Sequence, residues 1–169
     1  MIPINYNKKL CDNVIEKIRD KLQSITYLSE IYPAVSIEKR ADGTTMPVVY
    51  AQAGGVKLYA VVPDSTIASF VFFEKGTYKI DTDESGINSY NLSLTFWGQA
   101  EKISTAEFDV TDQIINDILG VLRKFNVENI EVATNAAFDG YNFDSGKKYL
   151  MYPNISFKIN FTIFASNCI

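Results

Sequence analysis

Two stretches of the chain place residues at spacings that suggest chemistry. Asp81, Asp83, Ser85 and Gly86 follow the opening D-x-D-x-S-G of a calcium loop, in which alternate side-chain oxygens converge on a hard cation. The twelfth position of such a loop is a bidentate glutamate. Here it is Leu92, and the flanks alternate like strands rather than helices. A solvated acidic turn is the better reading, and no metal is expected. Asp139-Gly140 and Asp144-Ser145-Gly146-Lys147-Lys148 hint at a phosphate cradle. The spacing departs from G-x-x-x-x-G-K-[ST], and Lys147 is followed by lysine, so no nucleotide cofactor is expected either.

The sequence contains no histidine. That removes the commonest general base, the commonest zinc ligand and any Ser-His or Cys-His pairing. No carboxylate couple stands out as an acid/base pair. Carboxylate or lysine chemistry would have to use Asp139, Asp144 or Lys147, but the chain reads as non-enzymatic, with no catalytic residues and no cofactor. The two cysteines, Cys11 and Cys168, read as a half-buried thiol and a thiol on a loose tail rather than as a disulfide.

A length of 169 residues supports one domain, 1–169, with a substantial core. The apolar share of 47% and charged share of 21% are ordinary for a soluble globular protein. The formal charge of −4, with no long basic run, argues against phosphate-driven, sequence-specific nucleic-acid binding. Met1-Ile2-Pro3-Ile4-Asn5 lacks the basic flank and apolar region of a signal peptide, and no apolar run approaches the ~18–20 residues of a membrane helix. The expectation is a soluble protein made in the cytoplasm, without membrane contact.

The clearest structural signal is the alternation from Ile155 to Ile163. Ile155, Phe157, Ile159, Phe161 and Ile163 fall on one face, and Ser156, Lys158, Asn160 and Thr162 on the other. Tyr90, Leu92, Leu94 and Phe96 repeat the pattern, with Asn91, Ser93, Thr95 and Trp97 opposite. Trp97 is expected to cover a subunit contact or the sheet margin. Before these strands, Leu10, Val14, Ile18 and Leu22, completed by Ile15, Ile25 and Leu28, predict an amphipathic helix over 8–29, with Asn7 as candidate cap. Pro33 is expected to stop it. Ala34–Arg40, Met46–Ala51, Val56–Val62 and Ser69–Phe73 read as strands, Gly54-Gly55 as a hairpin turn and Tyr78–Ile80 as a short edge piece. A second helix is predicted from Thr105 or Ala106 to Lys124. Gly120 lies within it, one reason for which would be close approach to the sheet. A strand over Asn129–Thr134 and a long loop over Asn135–Lys148 complete the pattern. Phe138, Tyr141 and Phe143 in that loop are either anchors for a partner or rings buried locally over the sheet. The fold class is α+β: a mainly antiparallel, twisted sheet with two amphipathic helices on one face.

This order of elements resembles the tail-terminator, tail-completion and head-to-tail connector ring proteins of tailed bacteriophages. The likeness rests on the helix Leu10–Leu28, the strand Met46-Pro47-Val48-Val49-Tyr50, the strand end Leu94-Thr95-Phe96-Trp97-Gly98, the helix Phe108–Lys124 and the last strand Ile155–Ile163. The stretch 51–80 is longer than the family pattern. The resemblance implies a virion protein, synthesised in the bacterial host cytoplasm, that forms a homo-oligomeric ring (a hexamer or dodecamer) at the head–tail junction or tail end. The genome passes through such a ring with only passive contact, and neighbouring neck or tail proteins are the partners. The contact residues expected on this reading are Lys39, Arg40, Asp42, Asp81, Asp83, Glu84, Phe138, Tyr141, Phe143, Lys147 and Lys148. A non-catalytic small-ligand or protein-binding module with an aromatic-rich sheet is the alternative.

Overall fold

The computed structural model describes residues 10–52, 56–79, 87–103, 110–134, 136–142 and 153–166. The first helix, α1, spans Leu10–Leu22. It is shorter than its apolar stripe because the chain tightens after Leu22. Ser24 and Ile25 N–H groups donate three residues back, to Lys21 O and Leu22 O, and the Ser24 hydroxyl takes the Lys21 carbonyl as well. Leu28 is still buried and Ile25 packs against the same core, so the stripe continues along a turn rather than a helix.

Pro33 does not simply end this segment. It lies inside β1, Glu30–Ala34, which pairs parallel with β5, Ser69–Lys79, as the outermost strand of a sheet. The register shifts between Ile31 and Ala34, so proline occupies an irregular position on an edge strand, where its missing N–H is tolerated. Arg19 of α1, although buried, donates two hydrogen bonds to the Ile31 carbonyl and one to Glu16, tying helix to strand. β2, Ser36–Lys39, then leaves for a second sheet with β3, Thr45–Gln52, and β4, Val56–Ala60. Both pairings are antiparallel; the Gly54-Gly55 turn predicted between β3 and β4 lies outside the described residues.

β6, Ile87–Gln99, and β8, Asn154–Ser166, pair antiparallel over their whole length, with β5 on one side and β7, Val127–Ala133, on the other. The five-stranded order is β1-β5-β6-β8-β7, so β6 is central and the alternating strand β8 lies next to it. β5 does not end at Gly76; it bulges between Lys75 and Tyr78 and takes in Tyr78 and Lys79. A short helix not expected from sequence, α2 (Ala100–Ile103), follows β6. Gly98 allows that turn, because a Cβ there would lie 2.6 Å from Ile103 Cδ1. α3 spans Val110–Leu122 and closes in a 3₁₀ turn, Arg123–Phe125; the predicted helix start falls outside the described residues. Gly120 approaches nothing within 4 Å, so close contact with the sheet does not explain it.

The fold is α+β, with α1 and α3 on one face of the larger sheet. Ile15, Ile18 and Leu22 of α1 and Ile114, Ile118 and Leu122 of α3 pack with Val71, Phe73, Leu94, Phe96, Phe157 and Ile159. Phe96 and Phe157 are directly paired across β6 and β8, their rings stacked at 4.9 Å. The opposite face is not uniformly wet. At one end Phe70, Phe72 and Trp97 form a second core beneath Met46, Val48 and Val49 of the smaller sheet, together with Phe138. The cause is local: Phe70-Val71-Phe72-Phe73 is apolar without alternation, so both faces of β5 need cover. Trp97, instead of covering a margin, has no exposed surface and stacks on Phe70 at 5.3 Å.

Replacing Phe157 by Ala should cost about 3–5 kcal/mol through lost burial and the cavity it leaves, read as a lower denaturation midpoint. Thr95 gives the opposite case. It is fully buried between Phe72 and Lys158, and its hydroxyl is the buried side-chain group that finds no partner among the described residues. Thr95→Val keeps the shape and removes that oxygen, so stability should hold or rise by about 0–2 kcal/mol; a marked loss would mean the hydroxyl is bonded.

Candidate interaction surface

The second face changes character along β6 and β8. Period two places Asn91 and Ser93 of β6 beside Thr162 and Asn160 of β8, and the antiparallel register sets each pair directly opposite. The Ser93 hydroxyl donates to Asn160 Oδ1 at 2.8 Å, and the Thr162 hydroxyl to Asn91 Oδ1 at 3.0 Å. Asn91 Nδ2 donates to Thr77 on β5, and Asn129 Nδ2 reaches Thr162 from β7 at 3.4 Å. An uncharged amide–hydroxyl band therefore crosses four strands. It floors an open groove of about 310 Å³ bordered by Gly76 and Asn129.

A charged clasp separates this band from the second core. Glu74 accepts from Lys158 Nζ at 2.8 Å and from the Tyr141 hydroxyl at 2.6 Å. Lys158, which alternation alone would leave in solvent, is thus paired and half-buried. Beyond the band, Ile87 and Phe164 are exposed on the same face, Phe164 opposite Ser89 and Ile87 opposite Ser166. Glu128 and Glu131 of β7, set against Thr162 and Asn160, form an acidic rim. Ordered uncharged hydrogen-bonding groups beside isolated apolar residues and a charged border suit contact with another protein surface.

Two regions expected to make contacts are brought together here. Thr45 and Asn142 exchange backbone hydrogen bonds at 2.9 Å, which seats the 136–142 turn against the start of β3. Phe138 and Tyr141 take the second of their two expected places, over the sheet. Phe138 is buried against Phe70 and Phe72, and Tyr141 packs on Phe72 and bonds Glu74. Both contribute to the subunit's own second core. Lys39, Arg40 and Asp42 do lie on the surface. Their turn is ordered: Gly43 adopts φ +86°, Arg40 N–H donates to Thr44 O, and Asp42 accepts from the Thr44 N–H and hydroxyl. Those bonds, with Arg40 nearby, hold the Asp42 carboxyl below the ordinary aspartate range. Asp81, Asp83, Glu84, Phe143, Lys147 and Lys148 lie outside the described residues.

Sequence reasoning missed the Glu74–Lys158–Tyr141 clasp, Asn129, and two exposed isoleucines on outer strands, Ile37 of β2 and Ile130 of β7. The asparagines and threonines were visible as the polar half of an alternation; their bonding needed the register. A second groove, about 560 Å³, lies between the turn after α1 and α3. There Tyr27 donates to Asp117 at 2.9 Å, and Gly120 and Lys124 line the wall. No family model, curated protein or solved structure matches the chain.

Four acids on this framework, Cys11, Tyr27, Tyr32 and Tyr141, hold their protons unusually tightly. Burial pushes the Cys11 thiol up to about 11, with Lys75 opposing. Burial and then a bond to a carboxylate raise the phenols of Tyr27 (to Asp117) and Tyr141 (to Glu74) above the ordinary tyrosine range. Raised folded-state values mean stability that is complete below the ordinary values, 9.0 for the thiol and 10.0 for the phenols, and is lost as pH climbs towards the folded ones. The urea midpoint should therefore stay level near pH 8–9 and fall above it. In Tyr141→Phe the fall should be shallower. A midpoint that rises above pH 9 would contradict these environments.

Proposed function

We propose that this chain is a structural subunit of a closed ring at the head–tail junction or tail end of a tailed bacteriophage, through which the genome passes. The observation that carries the reading is the half-covered sheet. A single subunit leaves Asn91, Ile87 and Phe164 exposed and Ser93 and Asn160 half-buried, and its outer strands β2 and β7 are each paired on one side only. Unpaired strand edges beside a partly apolar face are templates for association with further chains. The element order that resembles connector and tail-terminator proteins supports the same reading, and so does the exposed, ordered turn bearing Lys39, Arg40 and Asp42.

In this account the chain works by shape and charge. Repetition of one heterologous contact closes a ring when its rotation divides the circle. A net charge of −4 per copy, with acidic groups towards the channel, would repel passing phosphates and let duplex DNA slide. Neighbouring neck or tail proteins would bind the rims.

Light scattering on the purified protein, with negative-stain images, tests this. The expected result is a mass that is an integral multiple of 19.0 kDa with ring-shaped particles. A strict monomer, alone and with the neck and tail proteins of its own phage, would sink the proposal.

A further inference from the structure

Of the four strands paired on one side only, β2 and β7 carry opposite signatures. On β2, Ile37 and Lys39 share a face by period two, Ile37 is 65% exposed, and Arg40 follows directly. Glu38 is half-buried and set against buried Met46, so its charge is on the inner side. On β7, Glu128, Ile130 and Glu131 are all exposed, Ile130 to 37%. Among the described residues, Lys39, Arg40, Glu128 and Glu131 take part in no ion pair. The β2 edge therefore presents Lys39 and Arg40 beside an exposed isoleucine, with Asp42 near Arg40 in the turn that follows, and the β7 edge is acidic around an exposed isoleucine.

Their placement in the fold differs as well. β2 follows β1 after the single residue Val35, whose N–H donates to Phe73 O, so it departs from the β1 side of the five-stranded sheet. β7 is the opposite edge, four strand spacings or roughly 19 Å from β1. β1 is poorly suited to accept a strand itself, since Pro33 lacks an N–H and Arg19 occupies the Ile31 carbonyl. β2 and β7 are two of the remaining edges, and their exposed charges are complementary.

We infer that β7 of one copy docks on β2 of a second copy of this chain, with Glu128 and Glu131 facing Lys39 and Arg40 and Ile130 meeting Ile37. The contact joins two different surfaces, so it is heterologous and propagates head to tail. Main-chain hydrogen bonds between the edges supply attraction, and the charges set register and partner choice. The pairs lie at the rim, so assembly weakens as salt rises. This inference specifies the contact within the ring reading and rests on it.

Charge exchange tests it. K39E/R40E and E128K/E131K each make the two edges alike in sign, and each should raise the dissociation constant at least tenfold. Combining all four changes in one chain reverses both edges together and should restore assembly to within a few-fold of the native protein. Circular dichroism and Trp97 emission confirm that each variant is folded. Native-like assembly in both double variants would overturn the edge contact and leave the ring reading standing. Loss in the doubles without recovery in the folded quadruple variant would also overturn it. A native protein that never assembles removes the ring reading and this contact together.

Discussion

Everything on the second face depends on how the rings of Phe70, Phe72 and Trp97 leave water. They stand on neighbouring strands of the larger sheet, and among the described residues no helix packs against them. Only by folding the smaller sheet back over them, with Phe138 filling the remaining side, does the chain bury all three completely. The cover is positioned at both ends. Val35 ties the start of β2 to β5, and the Thr45–Asn142 bridge seats the following turn. The clasp of Lys158 and Tyr141 on Glu74 marks where the cover stops. Large aromatic areas supply the driving force, and short polar bonds determine where it ends.

Among the described residues the cover extends over one end, so the sheet presents two kinds of surface on the same face. The far end is ordered by polar bonds: the amide and hydroxyl groups of Asn91, Ser93, Asn160 and Thr162 bond one another across strands. A platform prepared in this way loses little side-chain freedom when something binds it. The helix face has no such division, since α1 and α3 cover it with one continuous core. Association, on this account, belongs to the second face and to the outer strands, while stability belongs mainly to the helix side.

Much of the helix side was legible in the sequence. Alternation in β6 and β8 named the core residues from Leu92 to Phe96 and from Phe157 to Ile163, and the stripe from Val14 to Leu28 matched what that segment buries. The first helix was read too long, because Ile25 and Leu28 are apolar at helical spacing while the backbone bonds after Leu22 have already tightened. β1 was hidden because Pro33 reads as a stop, and a stop looks the same as an irregular position on an edge strand. The apolar run in β5 reads only as a strand, and what covers its two faces is not a local property of that run. Surface features were harder still. Ile37 and Ile130 are ordinary strand residues in the sequence, and only the strand order reveals that both lie on outer strands.

The central claim is that the smaller sheet seals one end of the larger one. The chain has a single tryptophan, Trp97, and it lies at that seal. Acrylamide quenching of its fluorescence therefore reads the claim directly. The account predicts blue-shifted emission and a quenching constant several-fold below that of the urea-unfolded chain. Quenching in the native protein as efficient as in the unfolded chain would mean that the second face is open and that the two-sheet arrangement is wrong.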